Sequence, residues 1–150
     1  MIDLDDNRLE VARRFGATQT VNSGDGMAVE KVKTLTGGRG VDAAIEAVGV
    51  PSTFLLCQDL VAPGGVIANV GVHGTKVDLH LETLWSRNIA ITTRLVDTVT
   101  TPMLLKTVQS KKLDPKLLIT HRFGLDQILD AYDTFSRAAS TRALKVIIEA

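Results

Sequence analysis

Short β-branched runs alternate with amphipathic stretches along this chain, the pattern of an α/β sheet joined by crossover helices. The first run ends at Asp3, and Asp5 or Asp6 then caps a helix through about Phe15. Leu9, Val11, Ala12 and Phe15 form its apolar stripe, and Gly16 fits the position just beyond, where glycine takes positive φ cheaply. Thr18–Val21 reads as a second short strand, followed by the turn Asn22-Ser23-Gly24-Asp25-Gly26. A helix over Ala28–Thr36 carries Val29, Val32 and Leu35 at helical spacing, and Gly37-Gly38-Arg39-Gly40 breaks it.

The next strand is Val41–Glu46, ending at Gly49, and Pro51–Leu60 suits a helix that tolerates proline in its first turn. Pro63-Gly64-Gly65 reads as a turn into the strand Val66–Val70. A loop over His73–Asp78, a short helix over Leu81–Ser86 and a strand-like stretch over Asn88–Val96 follow. Thr101 is placed to cap a further helix and Pro102 to fill its first turn. Leu117–Phe123 and Ala143–Glu149 are the last strands, flanking a helix over roughly Asp126–Ala138. With no linker, low-complexity tract or repeat, 1–150 reads as one domain.

Composition narrows the classes. At 150 residues with 45% hydrophobic and 23% charged, the chain suits a soluble globular domain with a substantial core. Lys+Arg and Asp+Glu both number 17, so no basic footprint points to nucleic acid, and aromatic residues are too few for base-stacking platforms. No apolar run approaches the roughly 18 residues of a membrane-span candidate, and the acidic start does not resemble a signal peptide. Cys57 stands alone, which rules out an internal disulfide and Cys-rich metal motifs and makes a reducing cytoplasm the default.

The order of elements predicts a partial doubly wound, Rossmann-like parallel sheet. In that fold an acid at the end of the second strand grips a ribose about 20 residues after a glycine-rich phosphate turn. Asp3 occupies the acid's place, yet nothing in this sequence precedes Met1. The reading therefore expects the first strand and its glycine turn to be missing. Without its central neighbour, strand Val41–Ala47 would show an unpaired edge of the kind that invites pairing with another chain. Residues 41–150 are expected to form the better-defined core and residues 1–40 the less secure part.

Several stretches, in order and spacing, resemble the C-terminal part of the zinc-type medium-chain alcohol dehydrogenases. They are Asp3-Leu4-Asp5-Asp6-Asn7-Arg8, Gly37-Gly38-Arg39-Gly40-Val41-Asp42, Glu46-Ala47-Val48-Gly49, Pro63-Gly64-Gly65 and Asn69-Val70-Gly71. Leu118-Ile119-Thr120-His121-Arg122-Phe123 and Arg142-Ala143-Leu144-Lys145-Val146 complete the set, so the resemblance spans essentially the whole chain. The sub-type suggested is a secondary-alcohol or threonine dehydrogenase-like enzyme.

That resemblance implies roles residue by residue. Asp3 would bind both ribose hydroxyls of NAD and repel a 2′-phosphate, with Arg8 beside the ribose. Val48 and Gly49 match the adenine-side wall of the coenzyme crevice. Backbone groups of Val70, Gly71, Thr93 and Leu95 would meet the nicotinamide carboxamide, and Arg142 would face the pyrophosphate. The intact enzyme would move hydride between an alcohol, or the matching ketone or aldehyde, and NAD, using a catalytic zinc.

The zinc ligands and proton relay of that family lie in an N-terminal domain outside this sequence. Cys57, His73, His80 and His121 match no zinc spacing here. No catalytic residue or metal ligand is therefore assigned, and NAD binding by the chain alone is expected to be weak or absent. Two alternatives stand beside this reading. One is a methyltransferase-like Rossmann domain. The other is a non-catalytic subunit-contact module, forming a homo-oligomer through the sheet edge at Asn88–Val96, with Ile89, Ile91, Leu95 and Val96 as its apolar surface.

Overall fold

In the computed structural model, residues 1–95 and 99–150 are described. Two compact units emerge, one built from Met1–Leu4 with Gln19–Val96 and the other from Asp5–Thr18 with Asp97–Ala150. Val96, the last residue of the expected edge strand and of its apolar surface, lies outside the described residues.

The first unit opens with β1 (Ile2–Asp3) and β2 (Val21–Asn22), which run parallel with Ile2 facing Val21 and Asp3 facing Asn22. The second strand thus lies later than the expected Thr18–Val21, because pairing begins only where the Val21 N–H reaches the Met1 carbonyl at 2.9 Å. After α2 (Ala28–Leu35), a three-stranded parallel sheet follows in the order β3 (Val41–Glu46), β4 (Val61–Asn69), β5 (Ala90–Thr93). Helix α3 (Pro51–Leu60) makes the crossover from β3 to β4, with Pro51 in its first turn as expected. Pro63-Gly64-Gly65 is not a turn ahead of the strand. β4 runs through it as a bulge, since Val41 faces Val61 while Ala43 faces Val66.

Two buried clusters hold this unit. Ala44, Phe54, Cys57, Val61 and Ile67 pack between α3 and one sheet face, with Val61 and Ile67 fully buried. Val21, Ala28, Val32 and Leu60 form the second, so part of the segment 1–40 shares a core with α3. Buried Gln58 ties down the chain after β4, donating to the Asp78 carbonyl and accepting from the His80 N–H, at 3.0 and 2.8 Å. A four-residue helix α4 (Leu81–Leu84) and a 3-10 turn over Trp85–Arg87 take the place of the expected short helix.

Among the described residues β3 pairs only with β4, and β1–β2 forms a sheet of its own. The interruption falls where the first strand of a doubly wound sheet belongs. The sheet face opposite α3 carries Ala43 and Ile45 exposed, with Ile45 at 68%. Parallel sheets are ordinarily covered on both faces. Two residue pairs hold β1 to β2, whereas Ile67 and Ala68 are paired on both sides. Hydrogen exchange is therefore expected to release the Val21 and Asn22 amides well before those of Ile67 and Ala68. Equal protection of the two sets overturns this.

The second unit comprises α1 (Asp6–Arg14), α5 (Thr101–Gln109), β6 (Ile119–Gly124), α6 (Ile128–Ser136), α7 (Ala138–Thr141) and β7 (Lys145–Glu149). Asp5 caps α1, its side chain accepting from the N–H groups of Asn7 and Arg8. Thr101 does not cap α5. It is the first helical residue, and the preceding Thr100 makes no side-chain cap. Strands β6 and β7 pair parallel, apart from the three-stranded sheet, with α6 packed on both and Arg122 ion-paired to Glu149 across them. A 3-10 turn over Pro115–Leu118 takes the start of the expected strand at Leu117.

Candidate functional site

The loops leaving β3 and β4 meet at two glycines. Gly49 has φ +90°, and a Cβ there would penetrate the Val72 carbonyl oxygen and stand 2.7 Å from its carbon. A Cβ on Gly71 would penetrate Glu46 Oε2 and come within 2.5 Å of the Gly49 nitrogen. Only glycine allows two backbones this close.

Glu46, at the end of β3, organises the junction and is 1% exposed. Its Oε1 accepts from the Val48 N–H at 2.9 Å, the Gly49 N–H at 2.8 Å and the Thr53 hydroxyl at 2.6 Å. Burial alone would push this carboxyl up. The Thr53 hydroxyl, the two N–H groups and the His73 ring outweigh it and hold the carboxyl below the ordinary glutamate value. The Glu46 main-chain carbonyl also accepts from the Val70 and Gly71 N–H groups, at 2.9 and 3.1 Å.

On the far side of this junction lies a shallow cavity of about 260 Å³. Asn69, Val70, Gly71 and Val72 from the end of β4 line it, with Thr93, Arg94 and Leu95 from the end of β5. Four of the nine residues singled out in the sequence, Val70, Gly71, Thr93 and Leu95, therefore share one wall. Gly49 abuts that wall through Val72, and Val48 beside it is 65% exposed. Asp3 ends β1 in the two-stranded sheet, its carbonyl accepting from the Ser23 N–H. Arg8 and Arg142 are exposed residues of the second unit, Arg142 in a left-handed turn with φ 59°.

Sequence reasoning missed Glu46, Asn69 and Arg94. Glu46 and Asn69 lie inside the quoted stretches, but only their neighbours received roles. Their signal was a polar residue closing a strand right after an apolar run, residues 43–45 before Glu46 and residues 66–68 before Asn69.

The cavity lies beyond the carboxyl ends of two parallel strands, the place where ligands bind in open α/β sheets. Zinc fares differently. Among the described residues no group of three or more His, Cys, Asp and Glu side chains is placed to hold a metal ion. His73 is engaged with Asn69, His80 with Glu82, and His121 with Thr120.

Cys57 is buried in the core, its thiol pushed up to about 11 by burial and by the nearby Glu46 carboxylate. Iodoacetamide at pH 8 is expected to leave the folded chain unmodified and to alkylate it once urea unfolds it. Prompt labelling of the native protein overturns that.

Parallel strands, crossover helices and a cleft at the strand ends define a Rossmann-like α/β coenzyme-binding fold. Within that class the chain belongs to the zinc-binding dehydrogenase family, whose sequence model matches residues 1–110. The zinc dependent alcohol dehydrogenase 2 of Streptococcus pneumoniae superimposes with a TM-score of 0.94 at 55% identity, covering 99% of this chain and 43% of that one. An alcohol dehydrogenase of Cupriavidus necator is 34% identical over 142 residues, 90% of this chain and 38% of its own length. The NADP-dependent isopropanol dehydrogenase of Thermoanaerobacter brockii is 35% identical over 140 residues, 83% of this chain and 37% of its own. The chain thus spans about two fifths of the length of these relatives. The methyltransferase-like alternative falls away. No described helix is long and apolar enough to cross a membrane.

Proposed function

We propose that this chain supplies the coenzyme-facing wall of an NAD-dependent alcohol dehydrogenase, in which hydride moves between an alcohol and NAD. The observation that carries this is the convergence of Val70, Gly71, Thr93 and Leu95 on one cavity at the strand ends. Their backbone groups would recognise the nicotinamide carboxamide, with Val48 and Gly49 toward the adenine. Asp3 would accept from the ribose hydroxyls, and Arg8 and Arg142 would meet ribose and pyrophosphate. When bound, NAD supplies the hydride acceptor, and these residues bind and orient it.

A carboxylate at Asp3 repels a 2′-phosphate, so NAD is the expected coenzyme even though one relative is by name NADP-dependent. The zinc of the family would come from outside this chain, which alone is expected to oxidise no alcohol. Titration calorimetry is expected to show NAD binding far weaker than micromolar, and NADP weaker still. A micromolar NAD constant, or tighter NADP binding, overturns the respective part.

A second reading concerns association. All of β5 is exposed and pairs only with β4 among the described residues, and Ile91 is 37% exposed. An open edge of this kind pairs readily with a second copy. We expect a homo-oligomer through it, and a strict monomer by light scattering counts against that. A reducing cytoplasm suits the single buried cysteine.

A further inference from the structure

His73, in the loop after β4, has so far entered only as a neighbour of Glu46 and Asn69, and its side chain is only 16% exposed and turned inward. Nε2 lies 2.8 Å from Asn69 Oδ1 and 3.3 Å from Glu46 Oε2. Asn69 in turn donates from Nδ2 to the Gly71 carbonyl at 3.1 Å. This orientation of the amide leaves Oδ1 as an acceptor, so Nε2 of His73 carries the proton that is shared with it.

The consequence falls on Gly71. Its N–H is held by the Glu46 main-chain carbonyl, and its own carbonyl by Asn69, so the peptide groups on both sides are pinned. In a trans peptide the N–H and the preceding carbonyl point in opposite directions. With the Gly71 N–H turned toward β3, the Val70 carbonyl turns away from β3. Val70 and Gly71 line the cavity, so this orientation sets which backbone acceptor a ligand there meets. Oε2 of Glu46 and Nδ1 of His73 are buried without a hydrogen-bond partner. The ring thus sits between Glu46 and Asn69, with the Phe54 ring nearly perpendicular to it at 6.0 Å between centroids.

We propose that His73, acting through Asn69, is a positioning residue that fixes the Val70–Gly71 backbone for recognition of the nicotinamide carboxamide. This rests on the coenzyme reading above. It assigns a role to a side chain that need not touch the coenzyme.

The test uses the full chain, nitrogen-15 NMR and two ligands, NAD and ADP-ribose, the second lacking the nicotinamide ring. Wild type is expected to show His73 as the Nε2–H tautomer, and an Nδ1–H tautomer overturns the proposal without any variant. His73→Leu is expected to shift the Asn69 side-chain and Gly71 amide resonances. His73→Gln, which keeps a donor near the place of Nε2, is expected to restore them. The ratio of ADP-ribose to NAD dissociation constants is expected to fall about fivefold to tenfold in His73→Leu, the scale of one lost hydrogen bond. ADP-ribose binding itself should stay unchanged, and His73→Gln should recover the ratio. Unmoved resonances, or an unmoved ratio where wild type prefers NAD, overturn the proposed role. A wild type that binds the two ligands equally sinks the coenzyme reading instead, and with it the ligand recognised, while the resonance shifts still decide whether His73 positions the loop.

Discussion

Replacing Gly71 by alanine is expected to cost the fold about 3 kcal/mol, at the upper end of what overpacking does. The added methyl would overlap Glu46 Oε2 and press on the Gly49 nitrogen at 2.5 Å. Neither neighbour can retreat easily. The carboxylate is held by three donors through its other oxygen, and Gly49 is itself wedged against Val72. The loops after β3 and β4 must therefore separate, and the cavity wall should open with them. Gly74→Ala is the matched control, because a Cβ there meets nothing within 4 Å and the backbone is not left-handed. It is expected to change stability by less than about 0.5 kcal/mol. Urea unfolding of both variants checks this, and similar midpoints would show that the glycine contact carries no constraint.

The second large effect centres on the buried carboxylate. Glu46→Ala removes the acceptor for the Val48 and Gly49 N–H groups, leaving both donors without that partner in a largely buried pocket, while the Thr53 hydroxyl keeps the Val50 carbonyl at 2.9 Å. Each unsatisfied buried group costs about 1–3 kcal/mol, so a loss of about 2–6 kcal/mol is expected for the two amides. The same carboxylate makes stability depend on pH. Its folded value lies below the ordinary glutamate value of 4.5, so its contribution is complete above that value. As pH falls below 4.5, the unfolded chain takes up the proton first, and the contribution is lost as pH drops through the folded value. Melting curves between pH 7 and pH 3 should show wild type losing stability in this window and Glu46→Gln losing less of it. Parallel curves would assign acid unfolding to other carboxylates.

How far these features can be read from sequence depends on whether the cause is local. Pro51–Leu60 was legible to the residue because a proline start and an apolar body suffice to define it. Val41–Glu46 was equally clear from its β-branched and small residues. Pro63-Gly64-Gly65 misled because a bulge and a turn use the same residues, and only the register against β3 separates them. The pairing of β6 with β7 in a separate two-stranded sheet carries no local mark, since side-chain alternation names a buried face and not a partner strand.

The candidate site divides in the same way. Gly49 and Gly71 were singled out, and both prove to be points of close backbone approach. Glu46 stayed hidden because its hydrogen-bond partners at Val48 and Gly49 are main-chain groups, which no residue identity announces. His73 stayed hidden because its two partners come from different strands.

The lone thiol of Cys57 also equips the chain with an internal gauge. Packed between α3 and the sheet, it meets a reagent only during an opening of that cluster. Divided by the labelling rate of the unfolded chain, the native labelling rate gives the fraction of time the α3 interface is breached. Following that fraction with and without a prospective ligand would measure binding in a protein with a single tryptophan, and no tag need be added.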